Sequence, residues 1–203
     1  MGKVYDAIDD KIRQWVEQQK MFFVATAPLS GDGLVNCSPK GMDSFRILGP
    51  TTVAYLDLTG SGVETIAHLK ENGRIVVMFC AFEGSPKIMR FHGKGVVHEL
   101  GSEGYAELLP QFEDIAGARS IIVVDVKRIS DSCGWGVPLY DYQADRDTLR
   151  KASEKEGPDG MVRYRNEKNL VSLDGLPGFP EQQPATPEKA SDEPIERSGA
   201  QSG

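Results

Sequence analysis

Lys40 stands in the run SPKG, and further along GSGVET, Gly60 to Thr65, opens a helical pattern between two apolar stretches. A lysine and a glycine-marked helix start are together a donor set for a phosphate, because the first backbone N–H groups of a helix are unpaired and its dipole is positive there. The same letters have a plainer reading. Ser61-Gly62-Val63-Glu64 fits S-x-x-E, a capping box that satisfies those N–H groups internally. G-x-G-x-x-T is one glycine short of the dinucleotide fingerprint, and no second βαβ unit follows it. Glu64 would also repel an anion, so a phosphate here needs cations from Lys40, Arg74 or a second subunit. Spacing leaves both readings open.

Other chemistry-bearing residues are sparse. Arg90, His92, Lys94 and His98 alternate along KIMRFHGKGVVHEL and share one strand face, which is either a cleft wall or a solvated exterior. Two histidines without a third ligand at a recognisable spacing make no metal site. Cys37, Cys80 and Cys133 lie far apart with no C-x-x-C, so they read as reduced thiols, with Cys80 buried in MFCAF. No triad or paired-carboxylate spacing is present. Trp135, in SCGWGVPLYDY, is either an anchor that closes one end of the fold or a ring that reaches a ligand.

These residues need a scaffold, and the chain supplies one. At 203 residues there is room for one domain and a tail. The net charge of -7 gives no basic footprint for nucleic acid and would repel an anionic membrane surface. No run of about 20 apolar residues and no leader-like segment is present, so the expected setting is the cytoplasm. Ile8, Ile12, Trp15 and Val16 form the stripe of an amphipathic helix over Asp6 to Lys20. Met21–Ala27 and Leu34–Ser38 read as a hairpin, TTVAYLDL as a third strand, and RIVVMFCAF as a central one. The alternating KIMRFHGKGVVHEL follows, then a short helix capped by Ser102, and RSIIVVDVKRI closes a tally of six strands. Short glycine turns join most of them, which favours an antiparallel barrel over a doubly wound sheet. QADRDTLRKASEKEG reads as a solvated helix. The domain is expected to run over residues 1–175, with 176–203 a disordered tail whose Pro, Glu, Gln, Ser and Ala composition cannot offset its ordering entropy.

Taken in order, FFVATAPLSGDGLVNCSPKG, TVAYLDLTGSGVETIAHLKENGRIVVMF and IMRFHGKGVV resemble the pyridoxamine 5'-phosphate oxidase family of FMN-binding split barrels, over Asp6 to Ser130. The resemblance implies a mainly β, α+β fold: a six-stranded antiparallel split barrel with flanking helices, homodimeric, with FMN at the seam between subunits. It places Ser38, Pro39, Lys40 and Gly41 along the flavin, with Lys40 the cation for the phosphate. Tyr55, Leu56 and Asp57, then Ser61, Gly62, Val63 and Thr65, would pass the phosphate and ribityl chain, with Arg90 and Trp135 near the ring. Near relatives of the name-giving oxidase carry Ser-Arg-Lys at the turn, and this chain has no such basic pair. The C-terminal Arg-rich substrate motif is absent too. The implied activity is therefore FMN-dependent oxidoreduction of an unidentified small substrate or of NAD(P)H, rather than oxidation of pyridoxamine phosphate. A non-catalytic flavin- or haem-storage role on the same barrel is the alternative.

Overall fold

The structure, a computed structural model, describes residues 2–113 and 115–184. Its strands are β1 (Val4–Tyr5), β2 (Phe22–Thr26), β3 (Asn36–Lys40), β4 (Phe45–Gly49), β5 (Thr52–Leu58), β6 (Arg74–Cys80), β7 (Ile88–Glu99) and β8 (Ala118–Ser132). They form one sheet in the order β3-β2-β6-β7-β8-β5-β4, with β1 added on β8 and every pairing antiparallel. β3 and β4 end the sheet on opposite sides, yet only residues 41–44 join them. In a flat sheet, six steps of about 4.8 Å would separate them by about 29 Å. Five links of extended chain reach about 18 Å. The sheet must therefore roll up, and the unpaired β3 and β4 edges face each other across the split of an antiparallel barrel.

The split-barrel expectation holds, with two strands beyond the six anticipated: the two-residue β1 and β4. Inside the roll, Val24, Val53, Tyr55, Val77, Phe79, Phe91, Ile122 and Ile129 pack together. A smaller cluster lies outside β5 and β8, where Leu56 and Ile121 meet Tyr105, Phe112 and Ile115. Helix α1 (Asp10–Glu17) adds Ile12 and Val16 to the main core and starts on Asp9, whose carboxylate accepts from Ile12 N at 2.8 Å. It is shorter at both ends than the expected Asp6–Lys20. Helix α2 (Glu64–Asn72) ends at Gly73, whose φ of 72° is the left-handed stop that glycine adopts without strain. Helix α3 (Glu103–Leu108) is capped by Ser102 as expected, Oγ accepting from Tyr105 N at 3.2 Å.

Helix α4 (Thr148–Lys168) is interrupted at Gly157, just before Pro158, and its second half is not fully solvated: Met161 and Arg165 are buried. The packed chain also passes the expected boundary at 175. Residues 169–179 turn back on themselves through a Val171–Pro177 bridge, and Phe179 is buried against the barrel end with Lys70 and Arg119 over its ring. Pro/Gly-rich composition concealed one aromatic residue with a large apolar area to bury. The expected tail beyond 184 lies outside the described residues. Among those described, no helix is long and apolar enough to cross a membrane.

Candidate cofactor site

Asn36, Ser38 and Lys40 alternate along β3 and point into the barrel, an inward face that is polar throughout. Asn36 Nδ2 donates to Thr65 Oγ1 at 2.9 Å at the start of α2, and Ser38 Oγ donates to Asn36 Oδ1 at 3.1 Å. Lys40 Nζ donates to Asp57 Oδ1 at 2.9 Å. Asp57 comes from β5, flanked by Leu56 and Leu58, and is fully buried. Its other oxygen accepts from Arg119 Nε of β8 at 2.7 Å. Burial alone would raise the Asp57 carboxyl, but the Lys40 and Arg119 cations and their hydrogen bonds outweigh it and hold the pKa below the usual carboxylate range.

Around this pair the turn Thr59–Gly60–Ser61 is fastened from behind. Asn169 receives Arg119 Nη1 on Oδ1 at 2.8 Å and donates through Nδ2 to the Gly60 carbonyl at 2.9 Å. Arg165 of α4 donates through Nη1 to Thr59 Oγ1 at 3.4 Å and through Nε to Gln182 Oε1 at 2.9 Å. The capping box does not form. Val63 is the N-cap of α2 with no side-chain bond, while Glu64 Oε1 accepts from Leu173 N at 3.3 Å in the C-terminal hairpin. The Glu64 carboxylate folds over Gly62, where a Cβ would lie 2.4 Å from Oε2, so a side chain there would displace the carboxylate.

Beside Lys40 a groove of about 1030 Å³ opens, bounded by Met21, Pro39, Met42, Phe82, Tyr140 and Leu149. Met42 and Asp43 both have positive φ, 60° and 52°, in the tight turn that carries β3 into β4. Arg46 braces that turn through Asp43, Nη2 to Oδ2 at 3.0 Å. On the far wall Tyr140 stacks on Phe82 at 5.3 Å and its N–H reaches the Phe82 carbonyl at 2.9 Å. This ties the irregular segment after β8 to the barrel.

The other candidate residues scatter. Tyr55, Leu56 and Val63 are core residues, and Tyr55 Oη is buried with no partner among the described residues. Ser61 is exposed and Gly62 half-buried at the turn. Arg90 lies on the outer barrel face and donates to Ser132 Oγ at 3.0 Å. Trp135 is 83% exposed and does not line the groove, so within one chain neither residue is brought to Lys40. Arg74 donates to the Pro28 carbonyl at 2.9 Å, away from the turn. His92 is exposed, its pKa lowered by partial desolvation and by Arg90 and Arg128. Among the described residues no cluster of three or more His, Cys, Asp or Glu could hold a metal ion.

Sequence reasoning missed Arg119, Arg165, Asn169 and His68. His68 is wholly buried between Thr26 Oγ1, 3.0 Å from Nδ1, and Asp174 Oδ2, 3.4 Å from Nε2. Arg119 did carry a signal: it is a lone cation at the mouth of the apolar run SIIVV.

An antiparallel split barrel with a polar, lysine-bearing inner edge strand defines the class, and sequence comparison gives the family. The family model described as pyridoxamine 5'-phosphate oxidase matches residues 8–133. A pyridoxamine 5'-phosphate oxidase family protein of Aspergillus flavus, ustO, is 41% identical over 192 residues, covering 86% of this chain and 77% of that protein. This chain belongs to the pyridoxamine 5'-phosphate oxidase family. Solved structures similar to it include HupZ of Group A Streptococcus, with 22% identity, 62% of this chain and 99% of that one covered, and a TM-score of 0.48. Another is a pyridoxamine 5'-phosphate oxidase-related, FMN-binding protein of Nostoc punctiforme, with 9% identity, coverage of 55% and 73%, and a TM-score of 0.42.

Proposed function

We propose that this protein is a homodimeric, FMN-dependent oxidoreductase acting on a small substrate or on NAD(P)H, with the flavin between the subunits. The observation that carries the reading is Lys40, fixed by a buried carboxylate at the wall of a groove large enough for such a ligand. The donor set fits a phosphorylated planar ring. Of the three N–H donors of Lys40, Asp57 takes one, which leaves directions for an anion. Pro39, Gly41 and Met42 offer a backbone edge and an apolar surface beside it, and Ser61 and Thr65 stand at the helix start. When bound, FMN supplies a hydride acceptor at its N5. The protein's part is to hold the phosphate, orient the ring along Ser38 to Gly41 and keep water from the groove.

The dimer reading rests on the outer barrel face. Two rows cross four strands there: Pro39, Phe23, Met78 and Arg90, then Cys37, Ala25, Val76 and His92. The apolar members are exposed or half-buried, a surface that a second copy would cover. Pro39 belongs both to this face and to the groove, so a partner seated on the rows would also wall the groove. The deciding measurement is the absorption spectrum of the purified protein with added FMN. Retained flavin bands that bleach under NAD(P)H and return in air support the reading. A protein that retains no flavin and gains none on addition ends it.

A further inference from the structure

We propose that a chamber between helix α1 and the β3–β4 turn binds a small aromatic carboxylate, its ring on Phe22, Phe45 and Phe79 and its carboxylate on Lys20. That this compound is the substrate rests on the flavin reading above; that the chamber takes it does not.

The chamber is a space of about 320 Å³, separate from the larger groove beside Lys40. The turn that carries β3 into β4 forms one side, and the end of α1 with the residues after it forms the other. Three rings meet at its floor. Phe22 and Phe45 lie 5.2 Å apart, Phe45 and Phe79 5.0 Å, and Phe22 and Phe79 5.6 Å, with Val16 and Ile47 flanking them. Phe22 and Phe79 are buried in the core, whereas Phe45 and Ile47, on the edge strand β4, stay half-buried. A further ring can complete this cluster in the tilted and edge-on contacts that aromatic pairs prefer. The volume is at the small end of ligand pockets, which suits one ring and a short chain. The walls are already fixed. Arg13 Nη1 donates from α1 to the Ile47 carbonyl at 3.2 Å, and Ser44 Oγ donates to the Gly41 carbonyl at 2.6 Å within the turn. A ligand therefore has little ordering to impose.

The rim selects the charge. It carries three cations, Arg13, Lys20 and Arg46, and two carboxylates, Glu17 and Asp43. Arg13 stands 3.9 Å from Glu17, and Arg46 stands 3.0 Å from Asp43. Lys20 is left over: no carboxylate among the described residues forms a salt bridge with it. Its ammonium rests over the Tyr142 ring at 5.6 Å. An exposed cation–π contact is weaker than a charge-assisted hydrogen bond, so a carboxylate at the rim would draw the ammonium to itself. Lys40 is a separate cation, held by Asp57.

Gln19, Lys20 and Gly41 line both the chamber and the groove. Gly41 packs on the Lys20 carbonyl, which lies 3.3 Å from the place a Cβ would occupy. A ligand whose carboxylate meets Lys20 thus sits where the two spaces join, next to the stretch Ser38 to Gly41 along which the flavin ring is placed above.

The test titrates the full chain, without flavin, by calorimetry with 3-phenylpropanoate and 3-phenylpropanamide, which share a shape and differ in charge. The acid should bind about fivefold or more tighter than the amide. Lys20→Gln should bring the two affinities together at the amide's value. Equal affinities in the unaltered protein, or a ratio that survives Lys20→Gln, overturn the assignment. Nuclear Overhauser contacts locate the acid in the unaltered protein: cross-peaks from its ring to the Ile47 methyls and the Phe45 ring support the chamber, and a bound acid without them overturns it. Failure of the acid to bind overturns it as well and leaves the flavin reading standing, since no flavin is present. A chain that binds the acid but takes up no flavin supports the chamber and ends the flavin reading.

Discussion

Lys40 and Asp57 form an ion pair at 2.9 Å in which the carboxylate is sealed in the barrel and the ammonium reaches its rim. The pair converts a buried anion into a fixed cation at the surface of the groove. Removing Asp57 should therefore disturb two things at once, the fold and the lysine's aim.

The acid dependence of the fold follows from the sign of the Asp57 shift. Its folded pKa is depressed, so the stability it contributes is complete above its unfolded value near 3.9 and is lost as pH falls through the folded value. The melting-temperature gap between the unaltered protein and Asp57→Asn should be constant from pH 7 down to about 5 and narrow below about 4. A gap that stays level to pH 2 would show that this carboxylate is not the titrating group.

Lys40→Ala should weaken FMN binding at least about tenfold, since it removes a charge-assisted contact. Asp57 keeps Arg119 as partner, so the variant should still fold. Flavin fluorescence quenching measures the affinity, and an unaltered value would place the phosphate away from β3.

Tyr55 Oη is buried without a hydrogen-bond partner among the described residues, and burial with the nearby Asp57 carboxylate raises its pKa well above that of a free phenol. Tyr55→Phe removes that hydroxyl and keeps the ring contact with Phe22 at 5.6 Å. Chemical denaturation should find the variant equal to the parent or more stable by about 1 kcal/mol. A clear loss would reveal a partner for the hydroxyl.

Phe179→Ala should cost about 3 kcal/mol, the range for emptying a buried aromatic site. Urea titration gives the value. A change under about 0.5 kcal/mol, typical of surface positions, would show that the 169–179 hairpin contributes little to the folded state.

Light scattering should report twice the chain mass, and Met78→Asp, at the centre of the apolar rows, should halve it while leaving the circular dichroism spectrum intact. A dimer that survives the charge would move the interface elsewhere.

How far the letters alone reach can be seen from particular elements. Ser102 announced a helix because a cap acts within three residues of itself, and the stripe of Ile8, Ile12, Trp15 and Val16 announced α1. The alternation along β7 was legible for the same local reason, and the order of motifs carried the family. The site was not legible in this way. Asp57 sits in an apolar run as an isolated acid, and the arginine that makes its burial tolerable is 62 residues away. Asn169 and Gly60 are 109 apart. Nothing periodic links such positions, so only the rolled sheet and the returning C-terminal hairpin bring them together. The polar run QADRDTLRKASEKEG is largely exposed apart from Ser153, and the burial of α4 falls mainly beyond it, at Met161 and Arg165.

That hairpin also sets an order of events. Asp174 reaches back 140 residues to the Leu34 N–H and Phe179 closes over Arg119, so a chain emerging from the ribosome completes every barrel strand before its clasp exists. Until residues 169–179 have been made, the end of the barrel near Val63, where Gly178 packs, has no cover from them. Residues 169–179 thus act as a clasp added after the barrel strands.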